Sequence, residues 1–240
     1  MTKLPTRISP CPIVEATVEL KFSTDLPKEA VFGIFYNTLK DKFPEVTKLP
    51  VLQIPDEIRE HDPNFKFKPL YKMVNEEVTL QIGHDVFAIH SPPDYIGWKR
   101  FSEIVFNLFE KIEQTRVFDA PISLVIRYLN FFEIDIFEHI NLEIRLKDSV
   151  FNSSNTIFRT EIQENGFLKV LQVANNATLG TSDTSRKGSV LDISTVVINP
   201  TDFFKNANTI TTTAHELEKE LFFSLLKPDF LTTLNPEYDN

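Results

Sequence analysis

Residues 12–22 alternate strictly. Val14, Ala16, Val18, Leu20 and Phe22 fall on one side, and Glu15, Thr17, Glu19 and Lys21 on the other. A period of two is the signature of a strand with one buried face. Asp25 and Pro27 then supply a helix start, and Val31, Phe32, Phe35, Leu39 and Phe43 recur at helical spacing until Pro44 ends the run. Residues 44–65, with four prolines and many charges, read as an irregular surface connection. Two strands are expected over 66–74 and 77–90, joined near Asn75–Glu76. Gly83 marks a bulge or a second tight turn.

Ser91-Pro92-Pro93-Asp94 breaks the sheet and caps a second helix. Its stripe is Trp98, Phe101, Val105, Leu108 and Ile112, which carries it to about residue 115. Residues 121–135 are apolar at nearly every position and read as a strand, so the first half is β-α-β-β-α-β. The second half is richer in strand. Leu142, Ile144 and Leu146 alternate with charges over 141–147, and strands over 156–164 and 167–174 flank the hairpin signal Asn165–Gly166. Residues 175–188 have the composition of a mobile loop open to trypsin at Arg186 or Lys187. A strand over 189–198 and a helix over 209–226 follow. That helix is expected to turn Ile210, Ala214, Leu217, Leu221 and Leu225 inward.

The fold class is therefore α+β: a mostly antiparallel sheet with about three long helices. An internal echo joins the two ends of the chain. FAIHSPPDYIGWKRF and STVVINPTDFFKNAN each run strand, proline break, aromatic, helix, which suggests two related β-α-β-β-α-β-like halves. These would be residues 1–136 and 137–240, packed as one compact unit.

Composition narrows the function. The chain has 240 residues and a net charge of −9. An acidic protein repels a phosphate backbone, so nucleic acid is not an expected partner. A single cysteine, Cys11, excludes an intrachain disulfide. No secretory signal or membrane-length apolar stretch is read, so the expectation is a cytoplasmic protein without membrane association. The 22 phenylalanines predict an aromatic-rich core.

Candidate chemistry is sparse. Glu15 and Glu19 form a carboxylate pair, but four residues of strand separate their Cα atoms by about 13 Å. Glycosidase pairs stand about 5 Å or about 6.5–9.5 Å apart. Arg127 lies on a strand whose other face carries Leu124, Ile126 and Tyr128. A partly buried guanidinium needs a partner. In ferredoxin-like strand order the first and last strands are neighbours, which would set Arg127 beside Glu15 or Glu19. Two readings stay open: an internal ion pair, or an anion site built on the planar fork. His215 lies beside the apolar stripe of the last helix and reads as a boundary histidine. His84 and His90 are too far apart for one metal, and no nucleotide-binding or nucleophile motif occurs. No catalytic residue, metal or cofactor is expected.

Four motifs carry a resemblance: Pro12-Ile13-x-Glu15-Ala16-x-x-Glu19-x-x-Phe22, Tyr95-x-Gly97-Trp98-x-x-Phe101, Arg127-Tyr128-x-Asn130, and His215 ahead of Phe222–Phe223 and Leu231. Together they resemble a sporadically distributed prokaryotic protein family of about this length, for which no activity is established. The resemblance implies a prokaryotic origin. Its patchy distribution is similar to that of accessory genes of the defence or toxin–antitoxin type. The expected function is a non-catalytic binding or interaction protein, with another protein or a second copy as partner. The alternative is a small-ligand-binding protein or enzyme with a pocket using Arg127, Glu15, Glu19 and Tyr128, with His215 a further ligand-binding candidate.

Overall fold

The structure is a computed structural model that describes residues 3–92, 94–150, 155–180 and 185–238. Strand β1 (Ile13–Ser23) leads into helix α1 (Lys28–Leu39) and the short strand β2 (Glu45–Lys48). Helix α2 (Asp56–His61) precedes a meander of β3 (Tyr71–Val74), β4 (Thr79–Ile82) and β5 (Val86–Ser91). Helix α3 (Trp98–Glu113) and strand β6 (Ala120–Phe132) complete the first half. Then come a small hairpin, β7 (Arg145–Leu146) and β8 (Ser149–Val150), and three long strands, β9 (Ile157–Glu164), β10 (Phe167–Leu179) and β11 (Arg186–Ile198). Helices α4 (Phe203–Leu225) and α5 (Pro228–Thr233) end the chain. Among the described residues, no helix is long and apolar enough to cross a membrane.

The fold is α+β on a large antiparallel sheet. Nine strands run β2-β3-β4-β5-β1-β6-β11-β10-β9, every neighbouring pair antiparallel. The order β4-β5-β1-β6 is the ferredoxin-like arrangement, with first and last strands adjacent. Strand β6 pairs on its far side with β11, so the sheet continues without interruption from the first half into the second. β5 and β11 hold equivalent places. Each flanks one of the two central strands, and each is followed by a long helix.

Period-two burial decides which face the helices cover. Ala16, Val18, Leu20, Leu124, Ile126 and Tyr128 are buried together with side chains of α1, α3 and α4. Leu191, Ile193, Leu171 and Val173 continue that face into a second cluster with Phe222 and Leu225. The three long helices therefore pack on one side of the sheet. On the other side, β6, β10 and β11 present half-buried residues at every second position.

Two glycines are demanded by local geometry. Gly97 has φ +84°, a conformation closed to L side chains, and it starts α3 at Trp98. A Cβ on Gly188 would stand 2.0 Å from the Phe132 carbonyl oxygen, so only glycine lets β11 approach β6 there. At Asn165–Gly166 both residues have positive φ, +51° and +83°, as the two-residue hairpin turn between β9 and β10 requires.

Several elements differ from the sequence reading. Residues 77–90 form two strands, β4 and β5, rather than one; of the two readings given for Gly83 the tight turn is the one formed, with its N–H donating to the Val86 carbonyl. The proline-rich connection contains β2, paired to β3, and helix α2. Only Arg145–Leu146 of the 141–147 run is strand, in a hairpin outside the main sheet that turns at Lys147 (φ +55°). Most of the supposed loop 175–188 is also strand, because β10 reaches Leu179 and β11 begins at Arg186. A bulge at Asn176 (φ +54°) absorbs the irregularity, and cross-strand backbone bonds satisfy a polar segment that composition alone assigns to a loop. Residues 181–184 of that stretch lie outside the described residues.

Candidate functional site

Strand β6 presents two chemistries on its two sides. Arg127 points to the open face and Tyr128 to the helix-covered face, as consecutive residues of a strand must. The sequence-derived candidates therefore fall into two groups: Arg127, Glu15 and Glu19 on one side, Tyr128 and His215 on the other. A single pocket built from Arg127, Glu15, Glu19 and Tyr128 does not form, because the sheet itself lies between its members.

On the open face Arg127 stands opposite Thr17 on β1 and Ser194 on β11. Its principal partner is Asp192, one of the residues that sequence reasoning missed. Nε and Nη2 donate to the two carboxylate oxygens at 2.8 and 2.7 Å, a bidentate pair. Glu15 Oε1 lies 3.8 Å from Arg127 Nη1. Glu19 instead meets Lys21 at 3.3 Å. The hydrogen bonds to Asp192 raise the pKa of Arg127 against the cost of desolvation, with further help from Glu15 and Glu19. The planar fork is thus filled from within the chain, which removes the geometry an anion site would use.

Glu15 anchors the rest of this network. The Thr17 hydroxyl donates to Oε1 at 3.1 Å, and His90 Nδ1 lies 3.8 Å from the same oxygen. His90 Nδ1 also shares a hydrogen bond with Thr17 Oγ1 at 3.0 Å. The His90 imidazole chiefly, then Thr17 and Arg127, hold the Glu15 carboxyl below its usual pKa despite partial burial. These contacts follow from the strand register, which places Thr17 opposite both His90 and Arg127.

The covered face carries a neutral cluster. The Tyr95 and Tyr128 hydroxyls are 3.1 Å apart, and the Tyr128 hydroxyl is 3.1 Å from His215 Nδ1. Trp98 stacks on the His215 ring at 3.9 Å and 13°. Phe101 is fully buried and Trp98 half-buried against the same core. One turn beyond His215, Glu218 is 4% exposed. Burial pushes the Glu218 carboxyl well above its usual pKa, with Lys219 opposing only in part. Burial likewise raises both phenols and lowers His215 to about 3. Each shift favours the uncharged form.

The inward stripe of α4 is offset from the one its leucines predict. Thr211, Ala214, His215, Glu218, Phe222 and Leu225 are buried, while Leu217 and Leu221 are half-buried. Helical phase read from leucines alone therefore misses Glu218. Tyr95 and Trp98 were visible as a motif, but their meeting with His215 depends on tertiary packing. Asp192 had one signal, a lone acid inside an apolar strand, and its role depends on the pairing of β11 with β6.

Desolvation raises the Cys11 thiol above its ordinary pKa, opposite to the activation of a nucleophile. No group of three or more His, Cys, Asp or Glu side chains that could hold a metal occurs among the described residues. No protein-family model and no curated protein matches this chain.

Proposed function

We propose that this chain is a non-catalytic binding protein whose partner docks on the open face of the sheet. One observation carries the reading: α1, α3 and α4 all pack on a single face, and the opposite face of the central strands is half-exposed. That face mixes aliphatic side chains with ion pairs, the composition of an interface rather than of a reaction centre. An enzyme or small-ligand reading based on Arg127, Glu15, Glu19 and Tyr128 loses its motive, since these groups do not converge. We further propose that the two halves, residues 1–136 and 137–240, are structurally related, since β5 with α3 in the first and β11 with α4 in the second each run from strand into long helix. A role as an accessory component of the defence or toxin–antitoxin type extends the same proposal and rests on the family resemblance.

The test uses tagged protein recovered from its native cells. Leu129→Arg and Gln172→Arg, both on the open face, should each lose the protein that copurifies with wild type. Lys205→Glu on α4 should keep it. Near-ultraviolet circular dichroism checks that the variants fold. Retention of the partner by both open-face variants would overturn the proposal.

A further inference from the structure

We infer that the occupant of the open face is a second copy of this chain, giving a symmetric dimer in which two sheets meet face to face; this rests on the binding reading above. Across β1, β6, β11 and β9 the face carries Glu15, Glu19, Asp192 and Glu161 against Lys21, Arg127 and Arg159, and at its end Arg186 lies over Phe131 and pairs with Glu133. The chain as a whole has a net charge of −9. The face is thus close to neutral on a strongly acidic protein.

Its charges are also matched within the face. Lys21 meets Glu19 at 3.3 Å, Arg127 meets Asp192 at 2.7 Å, and Arg159 meets Glu161 at 2.9 Å. The remaining acid, Glu15, lies 3.8 Å from both Arg127 and His90. Covering such a face leaves few charges stranded, which is the usual cost of burying ions. A polyanion would have to compete for cations that already hold carboxylates. A foreign protein steered by charge needs a surface of one sign to complement, and this face offers none. Two copies of an acidic protein repel wherever their acidic surfaces meet, so the neutral face is where they can approach at least cost.

Shape and size agree. Val125, Leu129, Val170 and Val196 stand between the ion pairs, half-buried in the free chain. Val125 and Val196 are direct cross-strand partners, the next pair along this face from Arg127 and Ser194, which puts an aliphatic patch beside the central ion pair. Five strands about 4.8 Å apart, each contributing about seven residues, make a plane on the order of 600 Å². Side chains standing from it bring the area toward the ~800 Å² per partner of a standard interface.

Sedimentation equilibrium of the purified chain tests the inference. Wild type should show a concentration-dependent monomer–dimer equilibrium. Val196→Arg should weaken it about thirty-fold or more, because it places an unpaired guanidinium in the aliphatic patch of the contact. Ser194→Arg, at a half-buried position of the same face opposite Arg127, should weaken it as well and gives a second variant against a folding defect in the first. A wild type that stays monomeric at every concentration would overturn the second-copy inference. It would leave the open face as a docking surface, which the copurification experiment decides separately. A dimer that survives both face variants but dissociates on Ile162→Pro, at the β9 edge, would also overturn it, since the copies would then be joined edge to edge.

Discussion

Arg127 and Tyr128 are consecutive residues of one strand, yet they sit in opposite electrostatic settings. On the open face, Arg127 is paired with Asp192 and lies near Glu15, and the shifts of Arg127 and Glu15 both favour charge. On the covered face, Tyr95, Tyr128, His215 and Glu218 are all driven toward neutrality by burial. The difference is one of solvent. The Arg127 side chain is 40% exposed and keeps part of its hydration, whereas Glu218 is 4% exposed and gives its hydration up. Water left on one side permits ion pairs that a partner can cover; water expelled from the other leaves a polar cluster that stabilises the fold only while it is uncharged.

The largest way to break this contrast is to charge the covered face with acid. His215 has a folded pKa of about 3 against an ordinary value of 6.5. A depressed base binds its proton more readily in the unfolded chain, so stability present above pH 6.5 is lost as pH falls toward about 3. The expected loss is on the order of 4 kcal/mol across that window. His215→Gln should flatten this acid limb in urea unfolding measured at a series of pH values. A limb of the same slope in the variant would show that His215 is not its source.

Next in size is Trp98, which closes the covered cluster by stacking on His215. Trp98→Ala should cost about 3 kcal/mol in chemical unfolding, near the low end for buried aromatics because the ring is only half-buried. A cost under about 1 kcal/mol would mean that the ring serves a partner rather than the core.

On the open face the effects should be smaller. Asp192→Ala strands a half-exposed guanidinium and should cost about 1–2 kcal/mol. A double-mutant cycle with Arg127→Ala should return a coupling of about 1 kcal/mol. No measurable coupling would reduce the bidentate pair to a surface contact.

Much of this contrast could be read before folding, and the reason is periodicity. The alternation in residues 12–22 and the flanks of Arg127 already separated an Arg127 face from a Tyr128 face. The adjacency of β1 and β6 that brings Glu15 to Arg127 was legible from the same pattern, whereas β2 and α2 within 44–65 and the division of 77–90 into two strands were not. What stayed hidden depends on partners distant in the chain. Asp192 becomes the main partner of Arg127 only when β11 docks on β6. Glu218 is buried because α4 turns a mixed stripe, not its leucine stripe, toward the sheet. Residues 175–188 show the limit of composition, since cross-strand backbone bonds make strand of Asn, Thr and Lys.

The central claim is that one sheet separates an open face of paired charges, proposed to bind, from a buried cluster on the covered face that is held uncharged, and Glu15 and Glu218 report it from the two sides. The direct measurement is a carbon-13 nuclear magnetic resonance titration of the glutamate side-chain carboxyls, with these two assigned by Glu15→Gln and Glu218→Gln. Glu15 should titrate below the ordinary value of 4.5 and Glu218 well above it. The sign for stability follows. A raised folded pKa means that the contribution of Glu218 is fully present below pH 4.5 and is lost as pH rises through its folded value, the reverse of His215. Two carboxyls titrating together near 4.5 would contradict the account, because the covered face would then be as open to water as the face proposed to bind.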